Sequence, residues 1–177
     1  DLNIVNFIFL IAGVLLHWTP RSLLNAVGEA AKGAAGIILQ FPLYAGIQAM
    51  MVGANAVTGV SLASVISSFF VSISTVRTFP SFSFLSAGIV NFFVPSGGGQ
   101  WAVQGPVMLP AAQELGVSLP KVAMSIAYGD SWTNMIQPFW ALPALGIAKL
   151  GARDIMGYTL IVLIVTGIIA AAGLLLF

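Results

Sequence analysis

The chain has 177 residues, of which 59% are hydrophobic and 6% charged, with a net charge of +1 and a mean hydropathy of +1.03. Soluble domains carry about 25% charged residues, so this chain cannot coat a globule in water, and its expected solvent is membrane lipid. The small net charge argues against nucleic acid as a partner, and zero cysteines with a single histidine, His17, exclude disulfides, thiolate metal sites and a histidine zinc cluster.

The expected fold class is all-α integral membrane: a polytopic helical bundle with one re-entrant hairpin and one discontinuous transmembrane helix. The chain enters a hydrophobic run directly at Asp1, with no basic segment and cleavage site of a secretory signal before it. It ends at Phe177 inside another such run. It is therefore expected to be the C-terminal portion of a longer membrane protein.

Residues 2–18 form the first expected span, closed by the interfacial pair His17 and Trp18. Pro20 suits a first helical turn, and 20–35, with Arg21, Glu29 and Lys32 among leucines, fits an amphipathic helix lying in the interface. Residues 36–58 are long enough to span. Pro42 should kink that helix, and Gln40 and Gln48 either face neighbouring helices or line a substrate path. In 61–79, Ser64, Ser67, Ser68, Ser72 and Thr75 recur at helical spacing, a stripe expected to face protein. Arg77 reads as an anchor to headgroups.

Residues 80–116 hold two apolar arms around Pro95-Ser96-Gly97-Gly98-Gly99-Gln100-Trp101. Arms too short to cross ~30 Å of hydrocarbon, joined by a glycine-rich tip, read as a re-entrant hairpin. Pro106 and Pro110 should bend its second arm. Residues 119–150 read as one span broken at Gly129-Asp130-Ser131-Trp132-Thr133-Asn134-Met135-Ile136-Gln137-Pro138, and 154–177 as a final scaffold span.

Lipid offers nothing to pair with free backbone N–H and C=O groups, so irregular polar backbone survives there only against protein or a wet cavity. Breaks of this kind point to a transporter's binding site. A helix that stops in mid-membrane presents carbonyls to the gap, and one that starts there presents N–H groups. A break thus offers a cation site and an anion site together. Ser96 suits an N-cap, and Gly97, Gly98 and Gly99 permit a positive-φ turn and close approach. Gly129 suits the end of one half-helix and Pro138 the start of the next. Ser96, Gly97, Gly98, Gly99, Gln100, Asp130, Ser131, Thr133, Asn134 and Gln137 are the expected substrate- or ion-binding residues. Na⁺ would sit near Ser96, Asp130 and Asn134, and free N–H groups beyond Gly99 and Asn134 would favour a carboxylate. Asp130, an ionisable residue at membrane depth, either coordinates a cation, carries a proton or caps its own loop. Trp101, Trp132, Phe139 and Trp140 form either an apolar wall for an aliphatic tail or ordinary packing.

The stretch Asn91 to Pro106 and the stretch Gly129 to Trp140 resemble the two signatures of the bacterial short-chain fatty acid transporter family. The Gly-Asp-Ser-x-Thr-Asn core is also similar to aminobenzoyl-glutamate-type transporters of the wider ion transporter superfamily. The resemblance implies half of an inverted-repeat carrier. Ser96 to Gly99 would be the hairpin tip, and Asp130, Ser131, Thr133 and Asn134 the unwound centre. The implied activity is uptake of small monocarboxylates such as acetoacetate or butyrate by symport with Na⁺ or H⁺ across the bacterial cytoplasmic membrane. The partners would be lipid, the carboxylate, the N-terminal half of the carrier and further copies in a homo-oligomer. No other cofactor is expected. A carrier for larger carboxylates and a passive channel are the alternatives. An enzyme is not expected, because His17 and Asp130 alone do not supply a nucleophile with a base. Arg21, Lys32, Arg77 and Lys121 fall on one side of this topology and Lys149 and Arg153 on the other. The positive-inside rule puts the first group in the cytoplasm, whereas the superfamily pattern implies the reverse.

Overall fold

The structure, a computed structural model, describes residues 1–176, with the backbone alone for Ile37, Phe41, Pro138 and Phe139. Every regular element among them is helical: α1 (Leu2–His17), α2 (Pro20–Val52), α3 (Leu62–Ser72), α4 (Phe79–Phe93), α5 (Gly97–Leu115), α6 (Leu119–Thr133), α7 (Leu142–Ala148) and α8 (Ala152–Leu176). Two 3₁₀ turns, Asn134–Ile136 and Pro138–Ala141, lie between α6 and α7.

Local chemistry sets most of these ends. Thr19 caps α2, its Oγ1 accepting from the Ser22 N–H at 3.2 Å ahead of Pro20 in the first turn. Helix α2 is continuous from Pro20 to Val52, but its two parts, Pro20–Gly36 and Ile38–Val52, meet at 41°, beside the division expected between residues 35 and 36. Helix α3 is shorter than expected. A reciprocal capping box between Ser61 and Ser64 starts it, and hydroxyls end it at Ser72, short of the expected 79. Ser72 and Ser74 bond back to the carbonyls of Phe69 and Phe70, and Thr75 and Thr78 bond each other, giving the backbone an alternative to the helix. Of the serine stripe, Ser67 is buried and Ser64 half-buried, while Ser68, Ser72 and Thr75 are exposed.

Helix α4 is the centre of the bundle and packs on α3, α5, α6 and α8. Phe79 and Ala87 of α4 join Met108, Ala111 and Ala112 of α5 and Val122 and Ile126 of α6 in one buried cluster. Met51, Ala63, Val90 and Val94 form a second where α2 and α3 meet α4. Glycines set the helix spacing. A Cβ on Gly129 would fall 2.6 Å from the Ala87 Cβ and 3.0 Å from the Gly88 N, so α6 lies backbone to backbone on α4. Helix α8 has 25 residues, a mean hydropathy of 2.7 and only Gly167 buried. It is the one single described helix long and apolar enough to cross a membrane, and the two halves of α2 pass the same test together. Phe177, the last residue of the expected final span, lies outside the described residues.

The glycine contact sets a measurable expectation. Gly129→Ala forces α6 off α4 and is expected to cost about 1–3 kcal/mol, the range for overpacking a filled core. Melting of the full-length protein in detergent should show this as a drop of several degrees, whereas Gly97→Ala, with nothing within 4 Å of its added methyl, should leave the melting point near wild type.

Candidate functional site

The tip between α4 and α5 is Val94-Pro95-Ser96. Ser96 caps α5 as its residue type suggests, its Oγ accepting from the Gly99 N–H at 3.3 Å while its carbonyl accepts from the Gln100 N–H at 2.7 Å. The three glycines do not make a left-handed turn. Positive φ occurs among the described glycines only at Gly59 and Gly116, and Gly97, Gly98 and Gly99 are the first residues of α5. Their bareness serves access instead. Gly97 and Gly98 are exposed with first-turn N–H groups that have no intrahelical partner. A Cβ on Gly99 would lie 2.6 Å from Nε2 of Gln48, so the Gln48 amide reaches the tip because that methyl is missing.

The second polar stretch stays helical further than expected. Gly129 is committed to the contact with α4 rather than to a helix end, and α6 runs on to Thr133. Asp130, Ser131 and Thr133 therefore occupy its last turn, and the irregular backbone starts at Asn134. The Asn134 N–H bonds the carbonyls of Asp130 and Trp132. It is thus not a free donor for a carboxylate, whereas the first N–H groups of α5 have no intrahelical partner.

The residue that joins the two stretches is Asn91 in α4, fully buried. Its two Nδ2 protons are shared among the Asp130 carbonyl at 2.7 Å, Thr133 Oγ1 at 3.0 Å and Asn134 Oδ1 at 2.9 Å. Gln137 returns the contact, its Nε2 donating to the carbonyls of Asn91 and Phe92 at the end of α4. One amide caps the end of α6 and the other caps the end of α4. Trp132 is clamped beside them. Its Nε1 donates to the Leu163 carbonyl of α8 at 2.7 Å, and its ring fills the notch left by Gly88 and Gly167. Phe84 packs on it with ring centroids 4.8 Å apart. Trp132 is thus a packing residue, Trp101 and Trp140 line cavities, and the Phe139 side chain lies outside the described residues.

Two cavities meet at Asp130. The first, about 320 Å³, is lined by Tyr44 and Gln48 of α2, by Pro95, Ser96 and Gly97 of the tip, and by Asp130, Asn134 and Trp140. Its volume is within the range of small-molecule sites, ~300–1,000 Å³. The second, about 330 Å³, lies between α5 and α6 and is bordered by Gly97, Gln100, Asp130 and Ser131. The Asp130 Oδ1 is buried and has no hydrogen-bond partner among the described residues. Asn91 Oδ1, Gln100 Oε1 and Gln137 Oε1 are buried and unpartnered too. The described residues contain no group of three or more His, Cys, Asp or Glu that would hold a metal ion.

The short chain fatty acid transporter family profile matches residues 1–177. The chain belongs to the short chain fatty acid transporter family. It is 52% identical over 99% of its length to a "Putative short-chain fatty acid transporter" of Escherichia coli strain K12, covering 39% of that protein. It is 50% identical over 98% of its length to a protein of the same name from Haemophilus influenzae, covering 37% of it. A "Putative basic amino acid antiporter" of Escherichia coli strain K12 is 31% identical over 75 residues, 41% of this chain and 15% of that protein. The chain thus spans about two fifths of its transporter-family relatives. No solved structure matches it.

Of the expected site residues, Ser96, Gly97, Asp130 and Asn134 share the first cavity, Gln100 and Ser131 join Asp130 at the second, and Thr133 and Gln137 are inner structural partners of Asn91. Gly98 and Gly99 open α5. Tyr44 is not among the residues named from the sequence, and Asn91, the first residue of the Asn91 to Pro106 stretch, has no role assigned there. The signal for Asn91 is present, since it is the one amide in the apolar arm before the tip and polar groups at such depth need partners. Asn91→Leu removes the donor for three oxygens at once. It is expected to destabilise the full-length protein by at least about 2 kcal/mol, read as a fall in melting temperature of several degrees.

Proposed function

We propose that the chain is the hairpin-bearing part of a secondary carrier that moves short-chain monocarboxylates, of the acetoacetate and butyrate class, across the bacterial cytoplasmic membrane by symport with a cation. One observation carries the coupling: Asp130 shares its cavity with the exposed N-terminus of α5. The N–H groups of Gly97 and Gly98, the Ser96 hydroxyl and the Gln48 amide are donors suited to a carboxylate, reinforced by the helix dipole. A carboxylate there faces the carboxylate of Asp130. Two like charges about 5 Å apart at an effective dielectric of about 20 repel by about 3 kcal/mol, a loss of more than about a hundredfold in affinity. A cation held by Asp130 neutralises that carboxylate and offsets the repulsion. Anion and cation then bind better together than apart, which is the thermodynamic requirement for symport.

Family membership supports the substrate class. The geometry supports the hairpin: α4, at 15 residues, is about 22 Å long and falls short of the ~30 Å hydrocarbon core, so the tip would end within the membrane. The remaining part of the full-length protein, matching the rest of its longer relatives, would complete the site and the multi-pass bundle. A proton on Asp130 would remove the repulsion as a bound Na⁺ would, and the choice between them is a matter for experiment.

Labelled butyrate uptake by the full-length protein in vesicles, under imposed Na⁺ or H⁺ gradients, tests the reading. Accumulation should follow one of the gradients, and uptake indifferent to both would overturn coupled symport. In Asp130→Asn, entry should persist only as downhill exchange with its gradient dependence lost. Competition by long-chain or dicarboxylic compounds but not by acetoacetate would favour a carrier for larger carboxylates.

A further inference from the structure

The hairpin contains a ladder of amides whose direction is fixed by chemistry. Ser67 Oγ donates its one proton to the Ala63 carbonyl at 2.9 Å, so toward any other partner it can only accept. Gln104 therefore turns its amino group to it, Nε2 donating to Ser67 Oγ and to Ser86 Oγ at 3.1 Å each. That orientation leaves Gln104 Oε1 facing Gln100, whose Nε2 donates to it at 2.8 Å and to the Ala87 carbonyl at 2.9 Å. Both protons of the Gln100 amide are then committed. Turning Gln100 over would set its oxygen against two acceptors, so it has one stable orientation.

The consequence is a bare oxygen. Gln100 is 1% exposed, its Oε1 has no partner, and the residue borders the cavity between α5 and α6 that Asp130 also lines. Asp130 Oδ1 is buried and unpartnered as well. The donors along that cavity, the Ser131 hydroxyl and the Trp101 indole, bond neither oxygen. A buried acceptor left unmet costs as much as a lost hydrogen bond, and more for a charged one. Two acceptors, one of them anionic, are complemented by a cation, and a single carboxylate balances a single charge.

We propose that Gln100 Oε1 and Asp130 Oδ1 hold a small monovalent cation in the cavity between α5 and α6, with Gln104 and Ser67 as positioning residues that aim the Gln100 oxygen. The site rests on the carrier reading for its role in coupling, while its existence is testable apart from transport. It also separates the two ligands of the carrier. The carboxylate occupies the tip cavity, the cation lies on the other side of Asp130, and the Asp130 carboxylate is the wall between them.

The test is melting of the full-length protein in detergent, titrated with NaCl, LiCl or KCl against choline chloride at constant ionic strength. Saturable stabilisation by at least one of the three small cations is expected, and none by choline. Gln100→Leu should raise the half-saturating concentration by at least about tenfold, the loss of one ligand. Gln104→Leu, which does not border the cavity, should raise it too, with maximal uptake restored when the cation is in excess. A merely structural defect would lower the melting point in choline without moving half-saturation. Lack of saturable stabilisation in the wild type overturns the site whatever the variants do, and so does unchanged half-saturation in Gln100→Leu. If wild-type uptake ignores every gradient while the cation titration and its Gln100 dependence remain, the symport reading fails and the site stands. If uptake is coupled but half-saturation ignores Gln100 and Gln104, the reverse holds.

Discussion

Helix ends that stop inside an apolar bundle must have their carbonyls met by side-chain donors, and at the heart of this structure two amides do that work. Asn91 Nδ2 gathers the carbonyl, hydroxyl and amide oxygens at the end of α6, and Gln137 Nε2 gathers the last carbonyls of α4. Asn91 sits on α4, whose end Gln137 caps, and Gln137 follows the 3₁₀ turn after α6, whose end Asn91 caps, so neither end is satisfied unless both segments are in place. Amides suit this task better than charged groups because they donate without importing a net charge whose desolvation would have to be offset.

The same solution has a by-product. An amide carries two donor protons and one acceptor oxygen, and at this site the donors are taken by backbone and neighbouring side chains. The oxygens of Asn91, Gln100 and Gln137 are left buried without donors, together with one oxygen of Asp130. The neighbourhood is therefore rich in acceptors, and the start of α5 brings exposed donors to it. Acceptors of the type that suits a cation and donors of the type that suits a carboxylate thus border the same cavities, from the opposite ends of hydrogen-bonded helices.

What could be read from the residues follows from how local the physics is. The all-α class, Ser96 as the cap of α5, Thr19 and Pro20 at the start of α2 and the position of the tip are set by side chains within three or four positions of the backbone they serve. The ends of α3 and α6 were not legible in this way. Ser72 and Thr75 continue a helical stripe in periodicity, yet the hydroxyls of Ser72 and Ser74 turn back on the preceding carbonyls and Thr75 pairs with Thr78, and the helix ends. Gly129 has the residue type of a helix terminus, but the use made of it depends on Ala87 and Gly88, some forty positions away. Within the candidate site, Asp130 and the tip stood out as polar residues in apolar sequence, whereas the roles of Asn91 and Gln104 exist only through partners that tertiary packing supplies.

Packing and chemistry are one problem here rather than two. The Asn91 amide reaches its three acceptors because α4 and α6 lie close enough for the backbone of one to touch the other, and that approach exists only where Gly129 lacks a side chain. The third helix is drawn in by the same device. Gly88 and Gly167 leave a notch that the Trp132 ring fills, and its indole N–H takes the Leu163 carbonyl of α8. An added methyl at any of the three glycines displaces either α6 or the ring at its end, and with it the carbonyl of Asp130 that Asn91 holds. The position of the charged group at the junction of the two cavities is thus fixed by contacts among residues that carry no charge.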